Sequence, residues 1–385
     1  MRFQFTKLAG SAIFGLLPLV AQAAPFSAGD LVVERIGNGS GTLTSAAAAV
    51  FVDEYTPSGT LVQSIAMPTA VNGSDLRLTD SGSATSDGYL NLSTDGQYLT
   101  LTGYDANVGT ASVASTSTTG GSATVRVVGR IDASGNVDTT TSLTAYSGNN
   151  IRSAITTNGK DIWVAGAGTP GGVTYTTFGS SGAGTSLSTV VTNTRVVEIY
   201  GPTAQLYATS GSGSNKGVNA VGTGLPTTSG TSFSLEAASA SPYGMFLAQL
   251  NPSSSGPDTA YVADDGVGIE KFSLVSGTWV ASGVIGSATD AYRGLTGSVT
   301  ANGVQLYATR QGGTSQGIVS LVDTSGYNAT INGTANLIVA LGTNEAFRGI
   351  DFAPHAVPEP STLALGAIGL GVALIARRRR SRASV

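Results

Sequence analysis

The sequence predicts an all-β fold, and three observations carry it. Short runs of β-branched and aromatic residues alternate with small polar ones, as in Gln205-Leu206-Tyr207-Ala208-Thr209. Related runs recur at intervals near fifty residues. Turn dipeptides stand between them: Asp95-Gly96, Asn158-Gly159 and Asn302-Gly303. Charged residues are only 11% of the chain and Gly, Ser and Thr abound. Such a composition can mean disorder, but the recurring apolar alternation argues for folded strands.

Each repeat has a first run, a turn, a second run, a glycine-containing connection and a third run. The first runs begin near Tyr89, Arg152, Arg195, Tyr243, Arg293 and Arg348. Second runs include Tyr98-Leu99-Thr100-Leu101, Ile162-Trp163-Val164-Ala165, Ala260-Tyr261-Val262-Ala263 and Gln305-Leu306-Tyr307-Ala308-Thr309. Third runs open with glycine: Gly172, Gly217, Gly268 and Gly317. Periods of this length with three or four short strands suit β-propeller blades. A β-helix shares the Gly/Ser/Thr bias, but its coils are shorter. The termini complete the pattern. Ala346 to Phe352 is a first run with nothing after it. Asp30 to Ile36, Ala49 to Tyr55 and Thr60 to Met67 have no first run before them. Joined, they make one blade, so the expectation is a six-bladed β-propeller over residues 24–356, closed by its N- and C-terminal strands. Thr110 to Gly121 and Ser180 to Ser188 are expected to be mobile low-complexity loops.

Both chain ends carry sorting features. Arg2 and Lys7, the apolar stretch Leu8 to Val20 and Ala21-Gln22-Ala23 form a signal peptide, residues 1–23. At the other end stand Val357-Pro358-Glu359-Pro360-Ser361, an uncharged run to Ala376, and Arg377 to Arg380. The two prolines keep the first piece extended and deny it helix. Leu363 to Ala376 as a helix would span ~21 Å at ~1.5 Å per residue. That makes a short transmembrane helix, with the arginines as its cytoplasmic stop. A lasting anchor and a temporary one both fit this order, and the short span beside a rigid extended motif suits the temporary one better.

Taken together, residues 357–385 resemble a PEP-CTERM sorting domain. The resemblance implies a Gram-negative bacterial protein, held transiently at the inner membrane and then cleaved by an exosortase near Val357 to Ser361. It also implies a link to extracellular polysaccharide and the cell surface. It says nothing about the activity of the body.

Composition excludes several functions. Outside the two signals there are 12 basic residues against 22 acidic ones, a net charge of −10. That argues against nucleic acid, which needs clustered basic side chains. There is no cysteine, so there is no thiol chemistry. The one histidine, His355, adjoins the sorting tail. No catalytic residue, metal site or cofactor is expected, and no phosphate loop or nucleophile elbow is found.

One constellation remains. Arg152, Arg195, Arg293 and Arg348 stand at matching points of four first runs, in a region holding nine arginines. Around a channel mouth they would make a partial ring suited to carboxylate or phosphate groups. A structural role competes: each could pin a neighbouring blade through an acid such as Asp351 or Asp290. Asp264-Asp265-Gly266 reads as a turn before it reads as a cation site. Tyr104, Tyr146, Tyr175 and Tyr292 could stack on sugars if exposed, or pack between blades. The expected function is that of an exported, non-enzymatic surface or matrix protein associated with exopolysaccharide. The alternative is a hydrolase or lyase acting on an acidic carbohydrate in the channel.

Overall fold

The computed structural model describes residues 23–168 and 171–356. The signal peptide, the transmembrane helix and Val357 to Ser361 lie outside the described residues. Within them the chain is strand and turn, with three single-turn 3-10 segments. Among the described residues no helix is long and apolar enough to cross a membrane.

The strands form four separate four-stranded antiparallel sheets and one sheet of nine. The four are built from Ile151–Thr156 to Thr185–Ser186, Thr194–Tyr200 to Phe233–Ala238, Pro242–Ala248 to Thr278–Ile285, and Tyr292–Thr300 to Asn336–Ala340. The nine-stranded sheet is two four-stranded runs bridged by the short strand Thr79–Ser81. One run is Asn91–Leu92, Tyr98–Tyr104, Arg126–Asp132 and Val137–Leu143. The other starts with the last strand of the fold, Ala346–Phe352. That strand pairs with Leu31–Ile36, which leads to Ala47–Tyr55 and Leu61–Ala66. The repeat of four-stranded units is consistent with a propeller.

Successive units stack face to face, so second and third strands are buried on both sides. Separate hydrophobic clusters fill the spaces between neighbours. Leu206, Ala208 and Val221 pack with Trp163 and Val173, and Val304, Leu306 and Leu321 pack with Tyr261 and Ile269. The first strands lie side by side in chain order, and Ala346–Phe352 returns to touch Asn91–Leu92. Backbone bonds stitch this junction: Tyr89 N donates to Arg152 O, and Gly349 N to Gly88 O, both at 2.9 Å.

The turn glycines fall where the sequence puts them. Gly96, Gly159 and Gly303 have positive φ and close hairpins between first and second strands. The glycines that open third strands have a stricter reason. Gly217 and Gly317 take φ of +140° and +149°. A Cβ on either would collide with the fourth-strand carbonyls of Ala237 and Val339.

Two expectations about loops are corrected. Residues 110–121 are fixed by Arg126, a buried guanidinium. It donates to the carbonyls of Ala114, Thr116 and Thr124, and across to Tyr146 and Asn149. Val113 is fully buried beneath them. Residues 180–188 carry the short fourth strand Thr185–Ser186, anchored by buried Leu187. Small polar composition misled here because the anchors are single residues at the loop's edges.

Candidate functional site

A β-bulge recurs in the first strands and sets the site's geometry. Register shifts leave one extra residue in each of five: at Arg152, Arg195–Val196, Tyr243–Gly244, Arg293–Gly294 and Arg348–Gly349. A bulge bends its strand and re-aims a side chain. Here the re-aimed residues are the four arginines and Tyr243. The glycines that follow three of them let neighbouring strands touch through backbone. A Cβ on Gly244 would stand 2.7 Å from Arg293 O, and one on Gly294 2.5 Å from Arg348 O.

The structure brings the arginines close together at one end of the first strands. Arg195, Arg293 and Arg348 all act electrostatically on the Tyr89 hydroxyl, and Arg195 acts on Arg152. Their hydrogen bonds run to neighbouring units. Arg152 donates to Asn193 Oδ1 at 2.6 Å and Thr194 O at 2.9 Å. Arg195 donates to Ser241 Oγ and Pro242 O, and lies 3.9 Å from the Tyr243 ring centroid. Arg293 pairs with Asp265 at 2.8 Å and donates to Gln311. Arg348 donates to Gly82 O. Asp351 and Asp290 pair with none of the four; Asp290 lies 3.7 Å from Arg310. Arg152 and Arg348 are buried, whereas Arg195 and Arg293 are half-buried. Arg293, Arg310, Gln311 and Arg348 line a surface depression of about 180 Å³.

Behind the arginines an aromatic plug packs between the first strands. Tyr89 and Tyr243 stack at 6.1 Å between centroids, and Val196 closes the cluster. Beyond this plug lies a cavity of about 290 Å³, walled by the first strands. Glu198 and Asp351 line it. Burial, with Asp351 nearby, pushes the Glu198 carboxyl well above the ordinary range. Burial also raises Asp351, against the donors that hold it: Leu92 N at 2.7 Å, and Thr296 Oγ1 and Phe352 N at 2.8 Å.

A second group of acids sits where the terminal strands meet. Glu34, opposite the Arg348–Gly349 bulge, is fully buried, and neither carboxylate oxygen has a hydrogen-bond partner among the described residues. Asp80 and Asp87 are also buried nearby. Asp87 accepts from Tyr104 Oη at 2.8 Å and from Asn150. Asp80 accepts from Ser81 N. Burial first, and then Asp87, push Glu34 up to about 8 against the pull of Arg348. Asp80 is raised well above its usual range by burial and by the other two acids.

Sequence reasoning did not single out Glu34, Asp80 or Glu198. The signal for Glu198 was a lone acid inside an apolar run, Val196-Val197-Glu198-Ile199. Of the two readings of the tyrosines, packing holds for Tyr104, Tyr146 and Tyr292, which are fully buried. Tyr146 Oη donates to Val164 O, which makes it packing rather than a sugar platform. Asp264 caps a turn, accepting from Gly266 N and Ser241 N.

Comparison with known proteins assigns the tail. Residues 356–380 match the PEP-CTERM protein-sorting motif. The chain is therefore an exported protein that exosortase processes, carrying a C-terminal anchor before processing. No curated protein matches the chain. Among solved structures it is similar to a nidogen/laminin complex at 11% identity, covering 85% of this chain and 99% of that one, with a TM-score of 0.45. A candidate 6-phosphogluconolactonase from Bacteroides fragilis has 13% identity, with 79% and 81% covered and a TM-score of 0.44. A protein from Lactobacillus plantarum has 11% identity, with 87% and 89% covered and a TM-score of 0.41. At this level of likeness the neighbours assign no activity to the chain.

The buried acids predict an inverted pH profile. Glu34 and Asp80 hold protons in the fold that the unfolded chain releases near its ordinary carboxylate values. Stability should therefore fall as pH rises from about 4.5 to about 8. The slope should reach up to ~1.4 kcal/mol per pH unit for each proton held. Asp265 and Asp323, held below the ordinary range by hydrogen bonds and a cation, stabilise only above it, and that contribution is lost in acid below about 3.8. Urea titrations from pH 4 to 9 should show maximal stability near pH 4–5, and Glu34→Gln should flatten the decline. Stability rising between pH 5 and 8 would contradict the assignment.

Proposed function

We propose that the protein is an exported, non-enzymatic surface or matrix protein, and that its body, residues 24–356, is a six-bladed propeller closed by its terminal strands. The sorting motif carries this reading. Exosortase releases the chain from a transient inner-membrane anchor, and the body then associates with extracellular polysaccharide. The arginine end, with Arg152, Arg195, Arg293 and Arg348, supplies the contact with acidic sugars. Arg152 and Arg348 chiefly pin the ring. Arg293, with Arg310 beside it, faces the depression where a uronic carboxylate would sit. The rest of the body is strongly acidic, so a polyanion would be held only there. The alternative, a channel hydrolase or lyase, needs an acid/base pair beside the bound sugar. Glu198 and Asp351 stand beyond the tyrosine plug from the arginines, which favours binding over catalysis.

Processing is tested by mass spectrometry of the surface-exposed protein. Its C-terminus should fall between Val357 and Ser361, and a mature form retaining Arg377 to Arg380 would oppose a temporary anchor.

Binding is tested by calorimetry with uronic-acid oligosaccharides, with melting curves in parallel. Arg293→Ala should weaken binding about tenfold, ~1.4 kcal/mol. Arg310→Ala should also weaken it, because Arg310 lines the same depression. Arg77→Ala, whose guanidinium pairs with Asp105 elsewhere, should not. If the unmutated protein binds no acidic glycan and Arg293→Ala only lowers the melting temperature, the arginines are pins alone.

A further inference from the structure

The cavity beyond the tyrosine plug has a charge without a partner. Glu198 and Asp351 both line it, and no lysine, arginine or histidine does. Asp351 is held by three donors from its own and two neighbouring first strands. Glu198 accepts only a long bond, from Ile199 N at 3.2 Å, among the described residues. Glu198 is half-buried, and carboxylates withdrawn from bulk water are ordinarily paired with a cation or fully hydrogen-bonded. Glu198 has neither, and its side chain reaches open space rather than packed protein. The remaining walls are mainly apolar, with Ile199, Met245, Leu295 and Phe352 among them. The volume, about 290 Å³, is at the lower end for small-molecule sites.

We propose that this cavity binds a small organic cation, a primary ammonium on an apolar body, with Glu198 as its counter-ion and Asp351 as a fixed second charge. A hard metal ion fits less well. It asks for six or more oxygens, and the three donors already on Asp351 point hydrogen atoms at the carboxylate. A neutral polyol would leave both acids without a counter-charge. An ammonium group offers three donors to the free Glu198 oxygens, and its hydrocarbon part meets the apolar walls. Burial and the neighbouring Asp351 raise the Glu198 carboxyl, and an ammonium beside it pulls the other way. Any proton that binding displaces from Glu198 leaves to the buffer, and the ammonium keeps its own three hydrogens. Binding thus tightens as pH rises. This site is separate from the arginine end, and neither proposal depends on the other.

The test is calorimetry of the full exported chain with cyclohexylamine and cyclohexanol at pH 7.5, in two buffers of different ionisation enthalpy. The amine should bind one to one, at least tenfold tighter than the alcohol, with net proton release to the buffer. Glu198→Gln, which keeps the shape, should weaken the amine at least tenfold and abolish the release. If that variant does not fold, the amine-to-alcohol ratio and the proton count of the unmutated protein decide. Three results would overturn the proposal: equal affinity for the alcohol, no saturable amine binding at all, or calcium chloride occupying the cavity and excluding the amine.

Discussion

Neighbouring first strands meet backbone to backbone at the bulges, and most of what surrounds the channel follows from that contact. Gly244 faces the Arg293 carbonyl and Gly294 the Arg348 carbonyl, while Gly349 lies against the backbone of Tyr89 and Leu90. Glycine stands at three of the five bulges, so there neighbouring first strands approach with no side chain between their backbones. The extra residue of each bulge then turns the preceding side chain out toward one end. Arginines at those positions are thus concentrated by geometry, and their guanidiniums fall within reach of the next unit's carbonyls. Hydroxyls complete the seam: Thr309 Oγ1 bridges Gly294 N and Arg348 O, and Ser153 Oγ accepts from Val197 N.

The same constraint divides the channel electrically. Tyr89 and Tyr243 fit at the narrow level and separate a basic end from an acidic cavity. With guanidiniums on one side and carboxylates on the other, neither set neutralises the other. The junction of the terminal strands adds a third environment. There Glu34 is buried opposite a bulge, while Arg35 on the next residue pairs with Asp53 and Glu345. Adjacent residues of one strand therefore carry opposite kinds of burial, one unpaired and one doubly paired. The fully satisfied pair Lys271–Asp323, at 2.8 Å with Tyr261 and Ser325 on its free positions, shows the more usual arrangement.

Much of the strand order was legible because it rests on local chemistry. Asn158-Gly159 and Asn302-Gly303 mark hairpins, and Gly217 and Gly317 mark positions where a fourth-strand carbonyl leaves no room for a side chain. Thr110 to Gly121 was legible as a low-complexity loop, but its anchoring by Arg126 was not. The arginine recurrence was visible; which of the four would be buried was not, since that depends on neighbouring units. Glu198 was not singled out, and Asp351 was read only as a possible arginine partner. A lone acid in a strand run reads as a solvent-facing position, and only the return of Ala346–Phe352 to Asn91–Leu92 turns that position into a cavity wall.

The pairing of Ala346–Phe352 with Leu31–Ile36 should hold as firmly as any internal contact. Native-state hydrogen exchange, read by mass spectrometry on fragments covering 31–36, 292–300 and 346–352, measures this directly. The account predicts that all three segments open together, at the free energy of global unfolding. Exchange of 31–36 and 346–352 at a clearly lower free energy, while 292–300 stays protected, would contradict it.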